Sequence, residues 1–569
     1  MSRAERPIEK IAVVGAGVVG VPMAALLADA RIGAPDRSPA RVVLIQRASP
    51  SSGWKVAALN AGRNPLGGIE PGLEERISRN VAAGILSASS DLSEARDAGA
   101  ILVCVQTDRA GGGPDYGPLG QALDALAAEL IQRPPGAVPL VILESTLAPT
   151  SLASYVGPRL AEHGLVDGRD LDLGFSPNRV MPGCLIERIR NSDKIISGLR
   201  TETTERIRAL YGAIVANGRL YAANPMTAET VKTLENASRD VRIAFAAETA
   251  RFCDEADIDF HALRAEVNAR LERKDRVSSD PTAVPIGGLL VPTCGVGGHC
   301  LPKDGILLLW RKIEAGLEPA DSLILTARSI NDASPDETAA RIERVLGPLT
   351  GLSVVLLGAA YRPGAADTRN SPALALGRLL RGRCRALIVH DPYVRPDDPR
   401  LAAAGLADFF SNDFEAALSG AELAVAATAH PVYRQERIGE TAGPSIRAIF
   451  DAAHLFRRDE FAVRPLVYEG IGKGRNAPPA GLIETVEHGF RAVERGLANE
   501  TSGLIGFLNE RFAAKHSERI DFETVRALAA TCATGCVLDR TGPVGAVPRY
   551  PGFQPRLPAC AARIPAGRP

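Results

Sequence analysis

A cysteine lies between glycines and charged residues in the stretch from Gly295 to Asp304, GVGGHCLPKD. A thiolate is the strongest nucleophile that a side chain offers, so Cys300 could form a covalent intermediate with an electrophilic substrate. Two other interpretations stay open at this point: a buried structural cysteine that follows a turn, and half of a metal site. The chemistry of Cys300 therefore depends on what the rest of the chain brings next to it.

A lysine and an asparagine share one face of a predicted long helix. From Thr227 the chain reads TAETVKTLENASRDVRIAFAAETARFCDEADID, without proline or glycine and with apolar residues at helical spacing. Lys232 and Asn236 are four positions apart, so their side chains project from the same face. These residues alone leave open whether the pair takes part in chemistry or forms a solvated, exposed face.

A glycine-rich turn follows the first apolar run. Ile11 to Val14 predicts a buried parallel strand, and an Ala/Leu-rich helical segment follows the turn. The uncharged run Ile11 to Ala28 could be mistaken for a signal peptide or a membrane span, but its glycine spacing predicts a strand, a tight turn and a helix. Such a turn binds a pyrophosphate at the helix N-terminus. The predicted cofactor-binding residues of this turn are Gly15, Gly17, Val18, Val19 and Gly20.

The next strand, RVVLIQ, ends in Gln46 and is followed by Arg47. An NAD-binding unit usually has an acidic residue at this place, where it binds the ribose hydroxyls. The Gln46 amide can still bond a ribose hydroxyl, and the Arg47 guanidinium could accept a 2′-phosphate. We predict NAD as the cofactor, with NADP not excluded.

The strand and helix patterns predict an α/β fold with two Rossmann-like doubly wound domains joined by a long central helix. The first domain covers residues 1–222, the central helical region 223–330 and the second Rossmann-like domain 331–475. The C-terminal segment, 476–569, looks helical from Ile483 to Lys515, and its end, rich in proline and arginine from Gly542, is predicted to be disordered.

Charge and cysteine content restrict the class of protein. Lys+Arg and Asp+Glu both number 66, which gives no electrostatic reason to expect nucleic acid or an anionic membrane as a partner. The nine cysteines are odd in number and scattered, unlike a secreted disulfide framework. We therefore expect a cytoplasmic protein whose partners are small molecules or copies of itself.

Taken together, the motifs resemble the UDP-glucose/GDP-mannose dehydrogenase family, and most closely its members that act on UDP-N-acetylhexosamines. The resemblance covers about residues 9 to 472. It depends on six motifs in order: VVGAGVVGVP, ESTLAPTS (Glu144 to Ser151), FSPNRVMPG (Phe175 to Gly183), ETVKTLENASRD (Glu229 to Asp240), GVGGHCLPKD and GAAYRPGAADTRNSPA (Gly358 to Ala373).

The resemblance implies a chemistry for the cysteine. Family members oxidise the C6 alcohol of a nucleotide sugar twice, using two nicotinamide cofactors in succession, and supply polysaccharide biosynthesis. Cys300 is then the nucleophile that forms a thiohemiacetal and later a thioester. Gly297 and Gly298 would leave room for the sugar near the sulfur. No metal is expected, because neither His299–Cys300 nor Cys294 has a second ligand cluster at zinc spacing, and the C-x3-C pair Cys532 and Cys536 has no second ligand pair in the sequence.

The resemblance also implies the other site residues. Lys232 and Asn236 would stabilise the developing alkoxide, Asp304 would orient water or assist proton transfer, and Thr146 would hold a catalytic water. Thr107 and Thr146 are predicted to contact the cofactor. A homodimer through the central helix is expected. The predicted substrate-binding residues are Asn178, Arg179, Lys232, Asn236, Gly297, Gly298, Arg362 and Arg369.

Three features depart from the family pattern. Asn178 stands where the family commonly has glutamate, so Asp304 or Glu144 must supply that function or the activity is altered. Arg362 stands where a lysine is usual. Gln46 replaces the acidic ribose ligand. Two alternatives therefore stay open: a two-electron hydroxyacid-type dehydrogenase and a non-catalytic protein that binds sugar nucleotides.

Overall fold

The computed structural model describes residues 8–32, 39–49, 52–134, 136–271, 287–317, 321–435, 445–461, 466–513, 519–532, 536 and 538–565. The strands are β1 Lys10–Val14, β2 Arg41–Ile45, β3 Leu86–Ser89, β4 Ala100–Val103, β5 Asp108–Ala110, β6 Gly113–Asp115, β7 Leu140–Leu143, β8 Asp172–Phe175, β9 Lys194–Gly198, β10 Leu220–Ala222, β11 Ser353–Leu357, β12 Ala386–His390, β13 Phe410–Ser411, β14 Leu423–Ala426, β15 Ala448–Asp451 and β16 Val467–Gly470.

The helices surround these strands. They are α1 Gly20–Asp29, α2 Trp54–Asn60, α3 Leu73–Ala82, α4 Gly117–Leu130, α5 Gly157–Glu162, α6 Leu185–Asn191, α7 Thr201–Gly212, α8 Pro225–Glu255, α9 Phe260–Arg270, α10 Leu301–Glu314, α11 Leu323–Leu346, α12 Pro372–Arg381, α13 Pro399–Ala403, α14 Phe414–Leu418, α15 Pro431–Gln435, α16 Ala480–Leu508, α17 Phe522–Ala530 and α18 Arg556–Ala561.

Two parallel sheets form the framework of the described residues. The first has eight strands in the order β10-β9-β8-β7-β4-β1-β2-β3, with only the β8–β9 pair antiparallel, and the second has six parallel strands in the order β13-β12-β11-β14-β15-β16. In each sheet the first strand lies between two partners, so a crevice opens at its carboxyl end. The predicted α/β class with two Rossmann-like sheets is confirmed. The apolar runs form buried strands because helices cover both faces of each sheet.

The long helix α8 connects the two sheets. It begins where Asn224 accepts a hydrogen bond from the Thr227 backbone amide at 2.7 Å, with Pro225 in the first turn. Helices α10, α11 and α17 pack against it, and most of its residues are buried. Helix α11 runs through the predicted boundary between residues 330 and 331.

The C-terminal segment packs onto this central region. The Phe490 ring of α16 lies 5.7 Å from the Phe245 ring of α8, and Glu500 accepts the Leu323 amide at 3.0 Å at the start of α11. Much of α8 is therefore covered by the chain's own extension. A homodimer through this helix stays a prediction.

The predicted disorder from Gly542 onward is wrong for the described residues. The backbone amides of Arg556 and Leu557 donate to Glu248 of α8 at 2.8 and 3.1 Å, and the Phe553 ring lies 5.2 Å from Phe252. This segment is rich in proline and arginine, but it also contains a few apolar residues, such as Leu557, that are fully buried. Average composition does not show them. Apolar burial of this kind is sufficient to order a segment of polar average composition.

In the described part of the chain, no helix is long and apolar enough to cross a membrane.

Candidate active site

The glycine turn after β1 is open where a phosphate would approach. Gly15 has φ +112°, and a Cβ there would lie 2.6 Å from the Cys104 carbonyl oxygen; a Cβ at Gly20 would lie 1.9 Å from the Gly15 carbonyl oxygen. A Cβ at Gly17 would meet nothing within 4 Å. Val18 and Val19 complete the turn before α1. The two outer glycines are therefore required for close packing, while Gly17 keeps the helix N-terminus accessible to a pyrophosphate.

The end of β2 lies beside this turn. The Gln46 Oε1 accepts the Ala16 backbone amide at 2.9 Å, and its Nε2 donates to Ser52 Oγ at 3.0 Å. Arg47 is exposed and lies 3.5 Å from Gln121. Gln46 is thus next to the glycine turn, as a ribose ligand must be, and these residues fit a dinucleotide.

The threonines predicted to contact the cofactor lie at the next strand ends of the same sheet. Thr107 follows β4 and donates through Oγ1 to the Thr146 carbonyl oxygen at 2.8 Å. Thr146 follows β7 and is half-buried. Both residues border the crevice that opens between β4 and β1.

Cys300 is the residue that precedes the first turn of α10, and it is half-buried. Its loop is attached to the second sheet: the Gly298 amide donates to the Arg369 carbonyl at 2.8 Å, and Asn370 Nδ2 donates to the Gly298 carbonyl at 2.9 Å. A helix N-terminus favours an anion, so the location suits a thiolate.

The loop glycines allow close packing against an aromatic side chain. A Cβ at Gly297 would lie 2.5 Å from Tyr361 Cβ, and one at Gly298 would lie 2.8 Å from the Tyr361 ring. The glycines therefore allow the Cys300 loop to pack against Tyr361, a contact that is distant along the chain. Room for a sugar next to the sulfur stays a prediction.

Buried Lys232 and Asp304 and half-buried Asn236 form one group next to Cys300. Asn236 Nδ2 donates to Asp304 Oδ2 at 2.6 Å, and Lys303 Nζ lies 2.5 Å from Asp304 Oδ1. Burial alone would lower the pKa of Lys232, but attraction from Cys300, Asp304 and Glu235 outweighs it and raises the pKa. Lys232 is only 7% exposed, so a solvated helix face is ruled out.

His299 precedes the cysteine but is uncharged near neutral pH. Burial, followed by repulsion from Lys303 and Arg369, lowers its pKa to about 4. An imidazolium therefore does not lie beside Cys300 at neutral pH. Lys232 and Arg369, whose charges interact with Cys300, supply the nearby positive charge instead.

Asn178 contacts a buried carboxylate. Its Nδ2 donates to Glu144, which also accepts Tyr211 Oη and, at 3.1 Å, Lys194 Nζ. Burial raises the pKa of Glu144, although attraction from Lys194 opposes that shift. Because the Asn178 amide nitrogen faces Glu144, its carbonyl oxygen is the atom left to accept a hydrogen bond from another group.

Arg179 was predicted to bind substrate, yet its side chain is 4% exposed and its charged end pairs with Glu235 at 2.6 Å. Its Nη1 also donates to Thr531 Oγ1 at 2.7 Å. Both Nη atoms of the guanidinium therefore contact protein groups away from solvent. The resemblance implied substrate contact for Arg179, and the structure gives its side chain partners within the protein instead.

The predicted basic residues of the second sheet lie in one loop after β11. Arg369 pairs with Asp367 at 2.5 Å and reaches Gln106 of the first sheet at 3.5 Å. Arg362 is half-buried beside Tyr361. This loop lies between the two sheets and carries positive charge, which suits a diphosphate.

Sequence reasoning missed four residues of this region. Tyr361 supports the Cys300 loop, Lys303 pairs with Asp304, and Glu235 pairs with Arg179. Lys55 Nζ donates to the Ala16 carbonyl of the glycine turn at 2.9 Å, and burial with repulsion from Arg369 lowers its pKa. Tyr361, Lys303 and Glu235 lie inside the six family motifs, so those motifs were an available signal. Lys55 lies outside them and had no comparable signal.

Within the described residues, no group of three or more His, Cys, Asp or Glu side chains could hold a metal ion. Cys532 and Cys536 are both buried and unbridged. Their neighbours Glu235 and Ser238 lie on α8.

Models of three consecutive regions of one protein family match this chain. The NAD binding domain of the UDP-glucose/GDP-mannose dehydrogenase family matches residues 9–215, the central domain matches 226–333 and the UDP binding domain matches 355–458. The glycine turn lies in the first region, Lys232 and Cys300 lie in the second, and Arg369 lies in the third. Residues after 458 are not matched.

Curated relatives are nucleotide-sugar dehydrogenases by name. A UDP-N-acetyl-D-mannosamine dehydrogenase of Pyrococcus horikoshii is 30% identical over 483 residues, covering 82% of this chain and 99% of the relative. An NDP-N-acetyl-D-galactosaminuronic acid dehydrogenase of Ralstonia nicotianae is 29% identical over 434 residues, covering 75% of this chain and 92% of the relative.

Solved structures agree with these relatives. The UDP-D-ManNAc dehydrogenase of Pyrococcus horikoshii has a TM-score of 0.66 and 28% identity, covering 82% of this chain and 99% of that one. The NDP-N-acetyl-D-galactosaminuronic acid dehydrogenase of Methanosarcina mazei Go1 has a TM-score of 0.62 and 32% identity, covering 83% and 98%. With all three family regions matched in order around the crevice, the chain belongs to the UDP-glucose/GDP-mannose dehydrogenase family of NAD-dependent oxidoreductases.

Proposed function

We propose that the protein oxidises the C6 alcohol of a UDP-sugar to the uronate, with Cys300 as the covalent nucleophile. The observation that carries this proposal is the buried group around the cysteine, in which Lys232, Asn236 and Asp304 lie together beside the first turn of α10. A two-electron oxidation of a hydroxyacid would not require a nucleophile at this place.

NAD, when bound, supplies the hydride acceptor for each of the two oxidations. The residues that would hold NAD are Gly17, through its open backbone, Gln46, through its side chain, and the threonines Thr107 and Thr146. These residues fit NAD because a Cβ at Gly17 would meet no described atom within 4 Å, and because Gln46 contacts the glycine turn.

Lys232 and Asn236 stabilise negative charge at the sugar C6 oxygen. In the first oxidation the hydroxyl loses its proton and the carbon loses a hydride, giving the aldehyde. The Cys300 thiolate adds to the aldehyde carbon, and the resulting alkoxide of the thiohemiacetal is again next to the lysine. Loss of a second hydride from that carbon gives the thioester. Groups that face charge as it develops lower the barrier more than they strengthen binding.

Hydrolysis of the thioester requires a water and a group that takes its proton. Asn178 accepts a hydrogen bond through its carbonyl oxygen but takes no proton at neutral pH. Asp304 is the carboxylate nearest to the cysteine in sequence, at the first turn of the same helix, and we assign it the proton transfer. Water attacks the thioester carbonyl, the carbon–sulfur bond breaks, and the uronate and the free thiol result.

We further propose a UDP-N-acetylhexosamine as the substrate. The curated relatives named above act, by their names, on N-acetylmannosamine and N-acetylgalactosaminuronic acid nucleotides. The basic loop with Arg362 and Arg369 lies in the region that matches the UDP binding domain, so it suits the diphosphate.

Cofactor stoichiometry tests the proposal. A panel of UDP- and GDP-sugars with NAD should reveal a UDP-N-acetylhexosamine that yields two NADH and one uronate, identified by mass spectrometry. Cys300→Ala should abolish uronate formation while NAD binding is retained, and Cys294→Ala, in the same loop, should leave it intact. One NADH per sugar, or wild-type uronate yield from Cys300→Ala, would refute the mechanism.

Lys232→Ala and Asn236→Ala test the oxyanion role. Removal of one such donor typically lowers kcat by about 10²–10³ with a smaller change in KM. A kcat loss under about fivefold in both variants, on the order of 1 kcal/mol, would remove them from the catalytic group.

A further inference from the structure

The C-terminal extension after residue 476 lies beyond the family regions but contacts the helix that carries Lys232. Helix α17 packs on α8, and its residues Val525, Leu528 and Ala529 are buried. The extension is therefore part of the same packed unit as the catalytic group, rather than an appendage on the surface.

The extension provides partners for a buried ion pair. Arg179 Nη2 lies 2.6 Å from Glu235 Oε1 and donates to the Leu528 carbonyl oxygen at 3.1 Å, while Nη1 donates to Thr531 Oγ1 at 2.7 Å. The Cys532 thiol is hydrogen-bonded to the Glu235 carboxylate. Two acceptors for the arginine and one donor for the glutamate thus come from residues 528–532.

The buried Arg179–Glu235 pair needs these hydrogen-bonding partners from the extension. The side chains of Arg179 and Glu235 are 4% and 3% exposed. Taking both charges out of water is costly, and their attraction compensates for it only when the remaining hydrogen-bonding groups are satisfied. Arg179 Nη1 also reaches the Asp193 carbonyl oxygen, at 3.3 Å. A guanidinium that lost the Thr531 acceptor would turn toward that carbonyl, and Glu235 would move with it.

The pair lies next to the catalytic lysine. Glu235 is three positions after Lys232 on α8, and its charge acts directly on the Lys232 ammonium. The other groups that act on that ammonium are Cys300 and Asp304 of the α10 region and Cys532 of the extension. The lysine thus interacts electrostatically with both the nucleophile and the Glu235 pair.

We propose that the extension positions the catalytic group: Thr531, the Leu528 carbonyl and Cys532 hold the Arg179–Glu235 pair, and this pair holds Lys232 facing Cys300. Thr531 and Cys532 are positioning residues that do not touch the substrate. The inference rests on the proposed pairing of Lys232 with the nucleophile Cys300.

The first measurement needs no substrate. Iodoacetamide alkylation of Cys300 in the full-length protein, followed at neutral pH by mass spectrometry, reports how well the nearby ammonium stabilises the thiolate. Thr531→Val, which keeps the shape but removes the acceptor, should slow alkylation by about fivefold to tenfold, because a displaced ammonium stabilises the thiolate less. Thr531→Ser should restore the wild-type rate, and Thr524→Val, which removes an exposed hydroxyl from the same helix, should not change it.

Steady-state kinetics provide the second measurement. Thr531→Val should lower kcat by about tenfold and change the KM for the UDP-sugar by less than about threefold, because the lysine acts on charge that develops during reaction. Equal rates of alkylation and turnover in Thr531→Val and wild type would overturn the inference, as would a Thr531→Ser variant as slow as Thr531→Val. If Thr531→Val does not fold, the pair Cys532→Ala (slower) and Cys532→Ser (near wild type) provides the same test.

Different results would refute the proposed function and the positioning role of the extension. A wild-type protein that oxidises no nucleotide sugar refutes the proposed function, while the alkylation rates still decide whether the extension positions Lys232. A wild-type protein that makes the uronate, with variants that match it in both measurements, refutes only the positioning role.

Discussion

The two sheets contain the same strand–turn–helix unit, used in two different ways. In the first, the Gly15 amide donates to the Ile45 carbonyl at 2.8 Å, and in the second the Gly358 amide donates to the His390 carbonyl at 2.8 Å. A Cβ at either glycine would collide with the neighbouring strand end, at Cys104 or at Thr428. The two turns therefore share the same backbone hydrogen bond and the same steric requirement for glycine.

The residue after the second strand of each unit accepts the next amide. Gln46 Oε1 accepts the Ala16 amide at 2.9 Å, and Asp391 Oδ2 accepts the Ala359 amide at 2.8 Å. Gln46 is half-buried and has one such bond from the turn, whereas Asp391 is fully buried and also bonds His430 Nε2 at 3.0 Å. The first unit keeps its polar group available to a ligand, and the second uses its group entirely to hold the loop.

Under the proposed function, this difference predicts how each unit would recognise its ligand. The first would bind through open backbone at a helix N-terminus, which only a small residue such as Gly17 allows. The second has a longer loop whose backbone holds the Cys300 loop and whose side chains Arg362 and Arg369 would bind the nucleotide. Four variants test this comparison, from the largest expected effect to the smallest.

Gly17→Val should abolish backbone recognition in the first unit. The position is open, so the fold should persist, but the new side chain would block two or so charge-assisted hydrogen bonds to the pyrophosphate. We expect NAD binding to weaken on the order of a hundredfold, about 3 kcal/mol. Calorimetric titration with NAD measures this, with UDP binding as the internal control. Unchanged NAD affinity would mean that the pyrophosphate does not approach this turn.

Arg369→Met should weaken recognition by side chain in the second unit. Loss of a charge-assisted contact to the diphosphate should raise the KM for the UDP-sugar roughly 10–100-fold and leave the affinity for NAD unchanged. Arg378→Met, an exposed arginine of the following helix, is the matched control. A KM that is equal in both variants would exclude Arg369 from the nucleotide site.

Asp391→Asn should destabilise the second unit without removing any ligand contact. An amide nitrogen would face backbone donors, and an unsatisfied buried group of this kind costs roughly 2–3 kcal/mol. Thermal unfolding at neutral pH should therefore occur several degrees lower than in wild type. Persistence of the wild-type melting temperature would contradict the structural role assigned to this carboxylate.

The same variant has a defined pH dependence. Burial alone would raise the pKa of Asp391, but the hydrogen bond and charge of His430, with the Ala359 and Ala360 amides, lower it below the ordinary 3.8. A lowered folded-state pKa means that this stabilisation is present above pH 3.8 and is lost as the pH falls below it. The difference in melting temperature between wild type and Asp391→Asn should accordingly become smaller below pH 3.8.

Gln46→Asp, at the position equivalent to Asp391, should have the smallest effect and should not destabilise the protein. A carboxylate there accepts two ribose hydroxyls and repels a 2′-phosphate, so the ratio of kcat/KM for NAD over NADP should rise about tenfold. Gln132→Asp, on the surface after α4, is the control. A constant ratio would place Gln46 away from the ribose.

Local patterns predicted much of the fold and part of the site. The strands β1 and β2 lie where the apolar runs predicted them, and α8 begins within two residues of the predicted start. Local chemistry is sufficient for these elements because a buried strand, a glycine turn or a long helix is encoded by adjacent residues. The cysteine, the lysine and the asparagine were likewise identified from short motifs.

Contacts between distant segments could not be read in this way. Tyr361 against the Cys300 loop, and Thr531 against Arg179, join residues that are far apart in the chain. The sequence also predicted disorder after Gly542. Average composition does not show that a few apolar residues of this segment are buried against α8 and its neighbours.

By itself the sequence determined which residues can do chemistry: a nucleophilic thiol, a helix face with a lysine and an asparagine, and an open glycine turn. Only the tertiary structure decided which of them work together and what holds them. It buried Arg179 with Glu235 instead of exposing it to substrate, and it brought the extension next to α8. The physical reason is that side-chain identity is a local property, whereas burial and charge pairing depend on which distant surfaces are packed against each other.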